Sequence, residues 1–103
     1  MPDRLEQLLE LHQSDPTDPF LTYGLAFEYI KAGRFDQAIE YLDRTIQLDE
    51  HYHYAYYQKG KILHQQGRQA EAVSTLQVGL AKAKKADDQK ASAELDTLLN
   101  TIS

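Results

Sequence analysis

The sequence predicts an all-α protein, an α-α superhelix of antiparallel helical hairpins with about six helices. The chain repeats with a period of 34 residues, because the segment 26–34 recurs at 60–68 with its small, apolar and glycine positions in phase. Apolar residues recur at intervals of three and four, which places them on one face of a helix. Glycine or proline separates most of the segments. Such a period is typical of stacked helical hairpins, which usually bind other molecules and do not catalyse reactions.

The first predicted helix covers residues 3–14, and its apolar stripe consists of Leu5, Leu8, Leu9 and His12. A segment with two prolines follows and breaks this helix. Asp18 is the expected N-cap of a second helix over 19–32. Pro19 suits the first turn of that helix, because no backbone N–H is needed there.

The second hairpin copies the first. Gly33 is expected to end the second helix in the left-handed conformation, and the antiparallel return helix covers 35–49. In the copy, Gly67 separates a helix over 53–66 from a helix over 69–85. The predicted inward-facing residues of the two return helices are Phe35, Ala38, Ile39, Leu42 and Ile46, then Ala72, Val73, Leu76, Leu80 and Ala83.

One more amphipathic helix is predicted over 88–102, with a stripe formed by Ala91, Leu95, Leu98, Leu99 and Ile102. No glycine or proline precedes it, so a continuous helix over 69–102 is the alternative. A break is favoured because an aspartate on an apolar stripe is costly unless Asp87 or Asp88 caps the new helix. A continuous helix would carry its stripe away from the body and favour a swapped dimer.

Composition excludes several classes of function. The chain has no cysteine, which excludes disulfides, thiolate catalysis and the usual zinc ligand. No apolar run approaches the roughly 20 residues that a bilayer span needs, and the start lacks the features of a secretory signal. We therefore expect a soluble, cytoplasmic protein that does not bind membranes.

Charge is distributed unevenly along the chain. The net charge of −5 disfavours nucleic acid as a partner, because phosphate contacts need clustered lysine and arginine. Residues 51–86 are nevertheless basic, with six bases and one acid. One interpretation of this segment is a solvated face with lysines at a helix C-terminus, where they suit the helix dipole. The other is a basic surface for an acidic partner.

Neither a catalytic nor a metal site is predicted. The chain has no GxSxG, no glycine-rich phosphate loop and no HExxH, so we expect no enzymatic activity and no cofactor. His51 and His53 lie two residues apart, which directs them about 200° apart on a helix. His64 would lie about 16 Å from His53 along the helix axis. Only a weak, adventitious metal site in a loop at 51–53 is left as an alternative.

The in-phase positions resemble those of the tetratricopeptide repeat family. The matching positions are Ala26 and Gly60, Tyr29, Gly33 and Gly67, Ala38 and Ala72, Leu42 and Leu76, Ile46 and Leu80. The resemblance implies a single domain over 1–103. Its expected parts are a half-repeat helix over 3–14, repeats over 19–52 and 53–86, and a capping helix over 88–102.

Three positions depart from the family pattern. Thr22 replaces the large aromatic residue that usually stands early in a repeat, whereas Tyr56 keeps it. Thr45 and Gly79 replace the usual alanine late in the second helix. We expect looser packing around these positions.

The resemblance also implies a concave groove that binds an extended peptide. Its candidate residues are Phe20, Tyr23, Phe27, Ile30, Tyr54, Tyr57, Lys61 and His64. Five of these eight are aromatic, and aromatic side chains are common at interface hot spots. The alternative is that the last helix, or a second copy of the chain, covers some of these rings as ordinary core.

The carboxylate clamp of chaperone-binding family members is not predicted here. Tyr23 and Phe27 stand where the first lysine and asparagine of that clamp are expected, and Gln58 lies near the second asparagine. Only Lys61, with Lys31, offers a cation. The resemblance thus implies a non-enzymatic adaptor that binds an apolar or tyrosine-stacking segment of a protein partner. A homodimerisation module and a fragment of a longer repeat array are the alternatives.

Overall fold

The computed structural model describes residues 3–103 and contains, within that range, six α-helices and no strand. The helices are α1 (Arg4–Ser14), α2 (Pro19–Lys31), α3 (Phe35–Leu48), α4 (His53–Gln65), α5 (Gln69–Lys85) and α6 (Gln89–Ile102). The predicted all-α class, built from helical hairpins, is therefore confirmed.

The chain divides into two compact units, one up to Asp49 and one from Glu50 onward. In the first unit α2 packs against both α1 and α3. In the second unit α4, α5 and α6 all pack against one another. The buried residues at the centre of the two units include Leu8, Leu25 and Leu42 in the first and Leu63, Leu76 and Leu95 in the second.

Aspartate side chains start three of the helices. Asp18 accepts a hydrogen bond from the Phe20 N–H at 2.9 Å, which confirms the predicted N-cap of α2. Asp3 and Asp88 cap α1 and α6 in the same way. Because α5 ends at Lys85 and α6 begins at Gln89, the predicted break is present, with Asp88 as the cap.

Three helices end with a residue in the left-handed conformation. Gly33 and Gly67 have φ of 75° and 77°, as predicted, and Asp87 has φ of 55°. The next N–H donates to the carbonyl five residues earlier: Arg34 to Tyr29 at 2.9 Å, Arg68 to Leu63 at 2.8 Å, and Asp88 to Ala83 at 2.9 Å. Aspartate is one of the few residues other than glycine that adopts this conformation, so α5 ends without a glycine.

The expectation of looser packing at Thr45 is wrong. Thr45 and Thr22 are both fully buried, and their hydroxyl oxygens lie 2.8 Å apart across the α2–α3 contact. Each hydroxyl is also within hydrogen-bond distance of a carbonyl on its own helix, that of Pro19 for Thr22 and that of Tyr41 for Thr45. The two departures from the family pattern therefore compensate one another.

Gly79 is also closely packed, contrary to the expectation. A Cβ at Gly79 would lie 2.6 Å from Tyr56 Cβ, so the missing side chain provides the space for the tyrosine. The Tyr56 ring is buried and its hydroxyl donates to the Glu50 carbonyl at 2.9 Å. At this contact α4 thus supplies a large side chain, and α5 supplies no side chain.

The paired threonines predict energetic coupling. Replacing Thr22 by valine, or Thr45 by valine, should each lower the free energy of unfolding by about 1 kcal/mol, because one buried hydroxyl then faces a methyl group. The double variant should lose less than the sum of the two, since no hydroxyl is left facing an apolar group. Urea denaturation of the four proteins measures the coupling, and strictly additive losses would contradict it.

The close approach at Gly79 predicts a destabilising alanine. Gly79→Ala should lower the free energy of unfolding by about 1–3 kcal/mol through overpacking, although alanine has a helix propensity about 1 kcal/mol better than glycine. Gly24→Ala is the matched control, because its Cβ would lie 3.4 Å from the Leu8 methyl carbons, an ordinary contact. In thermal denaturation the Gly24→Ala protein should be as stable as the parent or more stable. A Gly79→Ala protein as stable as the parent would refute the argument.

Candidate functional site

Four predicted site residues line one side of α2, and we call them the α2 face: Phe20, Tyr23, Phe27 and Ile30. They recur at intervals of three and four, so the helix holds them in one row. Phe20 is 62% exposed and Phe27 is 43% exposed, while Tyr23 and Ile30 are half-buried. The structure therefore brings these four residues together on one helix, with two phenylalanine rings in solvent.

The α2 face borders a cavity of about 250 Å³. It is lined by Arg4 from α1 and by Phe20, Tyr23, Gly24, Phe27 and Glu28 from α2. Ile30 is not among these residues. Gly24 lies against the Leu8 methyl groups, and the lack of a side chain there leaves the space between the two helices open.

Charged groups stand at one end of this cavity. The largely buried Glu28 carboxylate lies 3.7 Å from Arg4 Nε and 3.3 Å from Lys31 Nζ. Lys31 Nζ also lies 5.9 Å from the centre of the Phe27 ring, within the range of a cation–π contact. Two cations therefore flank a single carboxylate, and the rest of the lining is predominantly aromatic.

The other four predicted site residues form the α4 face: Tyr54, Tyr57, Lys61 and His64. Tyr54, Lys61 and His64 are exposed, whereas Tyr57 is half-buried. His64 Nδ1 lies 2.7 Å from Gln69 Oε1, which fixes the orientation of the ring. This face offers phenol groups beside a cation, in contrast to the phenylalanines of the α2 face.

Sequence reasoning missed three cavity residues, namely Arg4, Gly24 and Glu28. Arg4 and Glu28 are 24 positions apart, and only the packing of α1 against α2 brings them together. Gly24 is visible in the sequence, but the equivalent position one repeat later, 58, is glutamine. No repeated glycine therefore marked this site. A peptide-binding site formed by all eight predicted residues stays a prediction.

The histidines form separate contacts. His51 Nε2 lies 3.6 Å from Glu50 Oε1, and His53 Nδ1 lies 3.2 Å from Asp88 Oδ2. Among residues 3–103, no three histidine, aspartate or glutamate side chains come together as metal ligands could. Nor is any helix within that range both long and apolar enough to span a bilayer.

Hydrogen bonds lower the pKa of Asp88. The largest cause is the Ala91 N–H, which donates to Oδ1 at 3.0 Å and stabilises the carboxylate. The contact with His53 acts in the same direction, and together they outweigh the opposing effect of lost hydration. Arg68 likewise lowers the pKa of Glu71 through its hydrogen bonds to the carboxylate.

Comparison with known proteins gives a family match. A family model described as tetratricopeptide repeat matches residues 23–88. No curated protein sequence matches the chain at a significant level.

Several solved structures are similar. The crystal structure of a tetratricopeptide repeat domain protein from Salinibacter ruber is 28% identical, with a TM-score of 0.77 over 82% of this chain and 94% of that chain. A protein from Bordetella parapertussis is 28% identical, with a TM-score of 0.85 over 99% of this chain and 89% of that one. The TPR2B domain of yeast Sti1, in complex with pHsp70, is 22% identical, with a TM-score of 0.86 over 93% and 77%. This last likeness concerns the fold alone.

The lowered pKa of Asp88 predicts a pH-dependent contribution to stability. Asp88→Ala should lower the Tm by about 4 °C at neutral pH, because α6 loses its cap. Since the folded pKa lies below the unfolded value of about 3.9, this loss should be fully present above pH 4. It should shrink as the pH falls through the folded pKa, when the parent protein loses the same interaction.

Thermal melts at several pH values measure the difference between the two proteins. Asp96→Ala, at an exposed position within the same helix, is the control and should show no such trend. A difference for Asp88→Ala that stays constant down to about pH 2.5 would contradict the assignment.

Proposed function

We propose that this chain, which belongs to the tetratricopeptide repeat family, binds a segment of a partner protein, with the α2 face and the α4 face as its candidate binding surfaces. The observation that carries the proposal is the exposure of two phenylalanine rings in one row on α2, beside a cavity of about 250 Å³. Solvent-exposed rings next to an open cavity are a typical feature of a protein-binding surface.

The polar character of α6 supports this interpretation. The exposed residues of α6 are Gln89, Lys90, Ala93, Asp96, Thr97, Asn100 and Thr101, which are polar or small. A helix of this chain therefore need not expose large apolar side chains to solvent. Complete burial of a phenylalanine side chain is favourable by about 1.5–3 kcal/mol. A partner that covers the exposed rings of α2 would therefore gain part of this free energy on binding.

The two faces favour different parts of a partner. Phe20 and Phe27 fit apolar side chains, whereas exposed Lys61 fits a carboxylate or another acidic group. Tyr54 and Tyr57 can stack on planar groups and donate hydrogen bonds. We therefore propose a partner segment with apolar anchors and at least one acidic residue. Absence of catalytic activity and a cytoplasmic location stay predictions.

Self-association is the competing proposal. Leu11, Leu48 and Val78 are also exposed apolar residues, and a second copy could cover some of them. Light scattering at micromolar concentration distinguishes the two proposals. A monomer supports partner binding, whereas an obligate dimer with a covered α2 face supports self-association.

The proposal predicts that partner capture depends on the two phenylalanines. The tagged full chain is used to isolate binding proteins from its native cell, and mass spectrometry quantifies them. Phe20→Ala with Phe27→Ala should reduce capture at least about tenfold, because the anchors contribute more than 1.4 kcal/mol together. Helix content should be unchanged, since both rings are exposed.

Leu48→Ala is the matched control for this experiment. Leu48 is an exposed apolar residue of the same unit, on α3, and its loss should leave capture unchanged. Tyr23→Ala with Tyr57→Ala tests whether both faces take part. Equal capture by the parent and by the phenylalanine variant would rule out the α2 face as the binding site.

A further inference from the structure

The 34-residue period extends back to α1, as burial shows. Three sets of positions have matching burial in α1, α3 and α5. The buried set is Leu8, Leu42 and Leu76, and the half-buried sets are Leu5, Ile39 and Val73, and His12, Ile46 and Leu80. By this register α1 corresponds to the second helix of a hairpin, like α3 and α5.

On one side of α1 the residues are more exposed than the equivalent residues of α3 and α5. Arg4, Gln7 and Leu11 lie on this side, at intervals of three and four, and we call them the open face of α1. Leu11 is 53% exposed and the Arg4 side chain is 61% exposed. Their counterparts are less exposed in every case: Ala38 and Ala72 for Arg4, Tyr41 and Thr75 for Gln7, Thr45 and Gly79 for Leu11.

The first helix of each hairpin covers the corresponding side of its partner. Thr22 on α2 contacts Thr45, and Tyr56 on α4 packs onto Gly79. No helix among residues 3–103 covers Leu11 in this way. The second unit shows the complete arrangement, because α4 packs against both α5 and α6. The pair α1 and α2 corresponds to the pair α5 and α6, and no helix among residues 3–103 takes the place that α4 has beside α5 and α6.

The unfilled position is bordered by two apolar surfaces. The open face of α1 supplies Leu11, and α2 supplies Phe20 and Phe27 beside the cavity. The ion pair between Arg4 and Glu28 and the contact between Leu8 and Gly24 show that α1 and α2 run antiparallel. Leu11 therefore lies toward the Phe20 end of the seam and Arg4 toward the Phe27 end.

We propose that an amphipathic α-helix of a partner protein binds in this position and takes the place of a first hairpin helix. The inference rests on the proposed function, because it names the partner of the α2 face. A helix fits better than an extended strand, since the seam between two helices accepts the ridge of a third. Phe20 and Phe27 are about 10 Å apart along α2, so three helical turns span the site.

The chemistry of the bound helix follows from the two hairpins. Across the equivalent contact Thr22 meets Thr45, and Tyr56 meets Gly79, so two large residues never meet. Because Leu11 is large, the partner helix should present glycine, alanine or serine opposite it. Apolar residues three and four positions apart should meet Phe20 and Phe27. In the antiparallel orientation Arg4 lies near the carboxyl end of the bound helix, where a cation is favourable.

A pair of synthetic peptides tests the inference. The helical probe has the sequence of residues 53–66 with blocked ends and Tyr56→Ala, which places a small residue opposite Leu11. The second probe also carries Lys61→Pro, which breaks the helix and leaves the other side chains in place. Fluorescence anisotropy with the full chain should give a Kd on the order of 100 µM for the helical probe, since a short isolated helix is only marginally formed. The proline probe should bind at least about tenfold more weakly.

Two variants of the chain locate the binding. Leu11→Glu should weaken the helical probe at least about tenfold, because a carboxylate would be buried against it. Gln13→Glu is the control, because it adds the same charge to an exposed position on the opposite side of α1 and should have no effect. Both residues are exposed, so circular dichroism should show an unchanged helix content in each variant.

Several results would overturn the inference. They are equal binding of both probes, no binding of the helical probe up to about 1 mM, and no effect of Leu11→Glu. A dimer in light scattering that Leu11→Glu dissociates would identify a second copy as the occupant. If Leu11→Glu has no effect while Phe20→Ala with Phe27→Ala still abolishes partner capture, the inference fails and the proposed function stands. If the phenylalanine variant captures partners normally, the proposed function itself fails.

Discussion

The structure depends on one contact in each hairpin, where the first helix packs on the second through two residues of complementary size. Thr22 and Thr45 share a buried hydrogen bond in the first hairpin, while Tyr56 fills the space that Gly79 leaves in the second. Helices of this length are marginal alone in water. The close approach lets Leu42 and Leu76 become fully buried, and this burial supplies most of the stability of such short helices.

The same contact explains where the chain can bind a partner. Wherever a first helix is present, the matching side of the second helix is buried, as at Ala38 and Ala72. On α1 that side carries Arg4 and Leu11 and is exposed. The phenylalanines of the α2 face lie next to it, so within residues 3–103 the repeat that stabilises the chain also leaves this side of α1 open.

Local signals in the sequence predicted the helices well, because caps and turns depend on a few adjacent residues. Asp18, Gly33 and Gly67 take the predicted roles. The packing at Thr45 and Gly79 was predicted wrongly, because each position was compared with a family pattern and not with the residue opposite it, more than 20 positions away. The cavity between α1 and α2 was missed for a similar reason, since only tertiary packing brings Arg4 beside Glu28.

Hairpin pairing buries one side of α3 and leaves the same side of α1 open. Because the chain has no cysteine, single variants Leu11→Cys and Thr45→Cys each carry one thiol, whose rate of reaction with a maleimide reports its exposure. The thiol at position 11 should react about as fast as a free cysteine, and the thiol at position 45 at least about a hundredfold more slowly. Equal protection of the two thiols in the isolated protein would contradict this difference in burial.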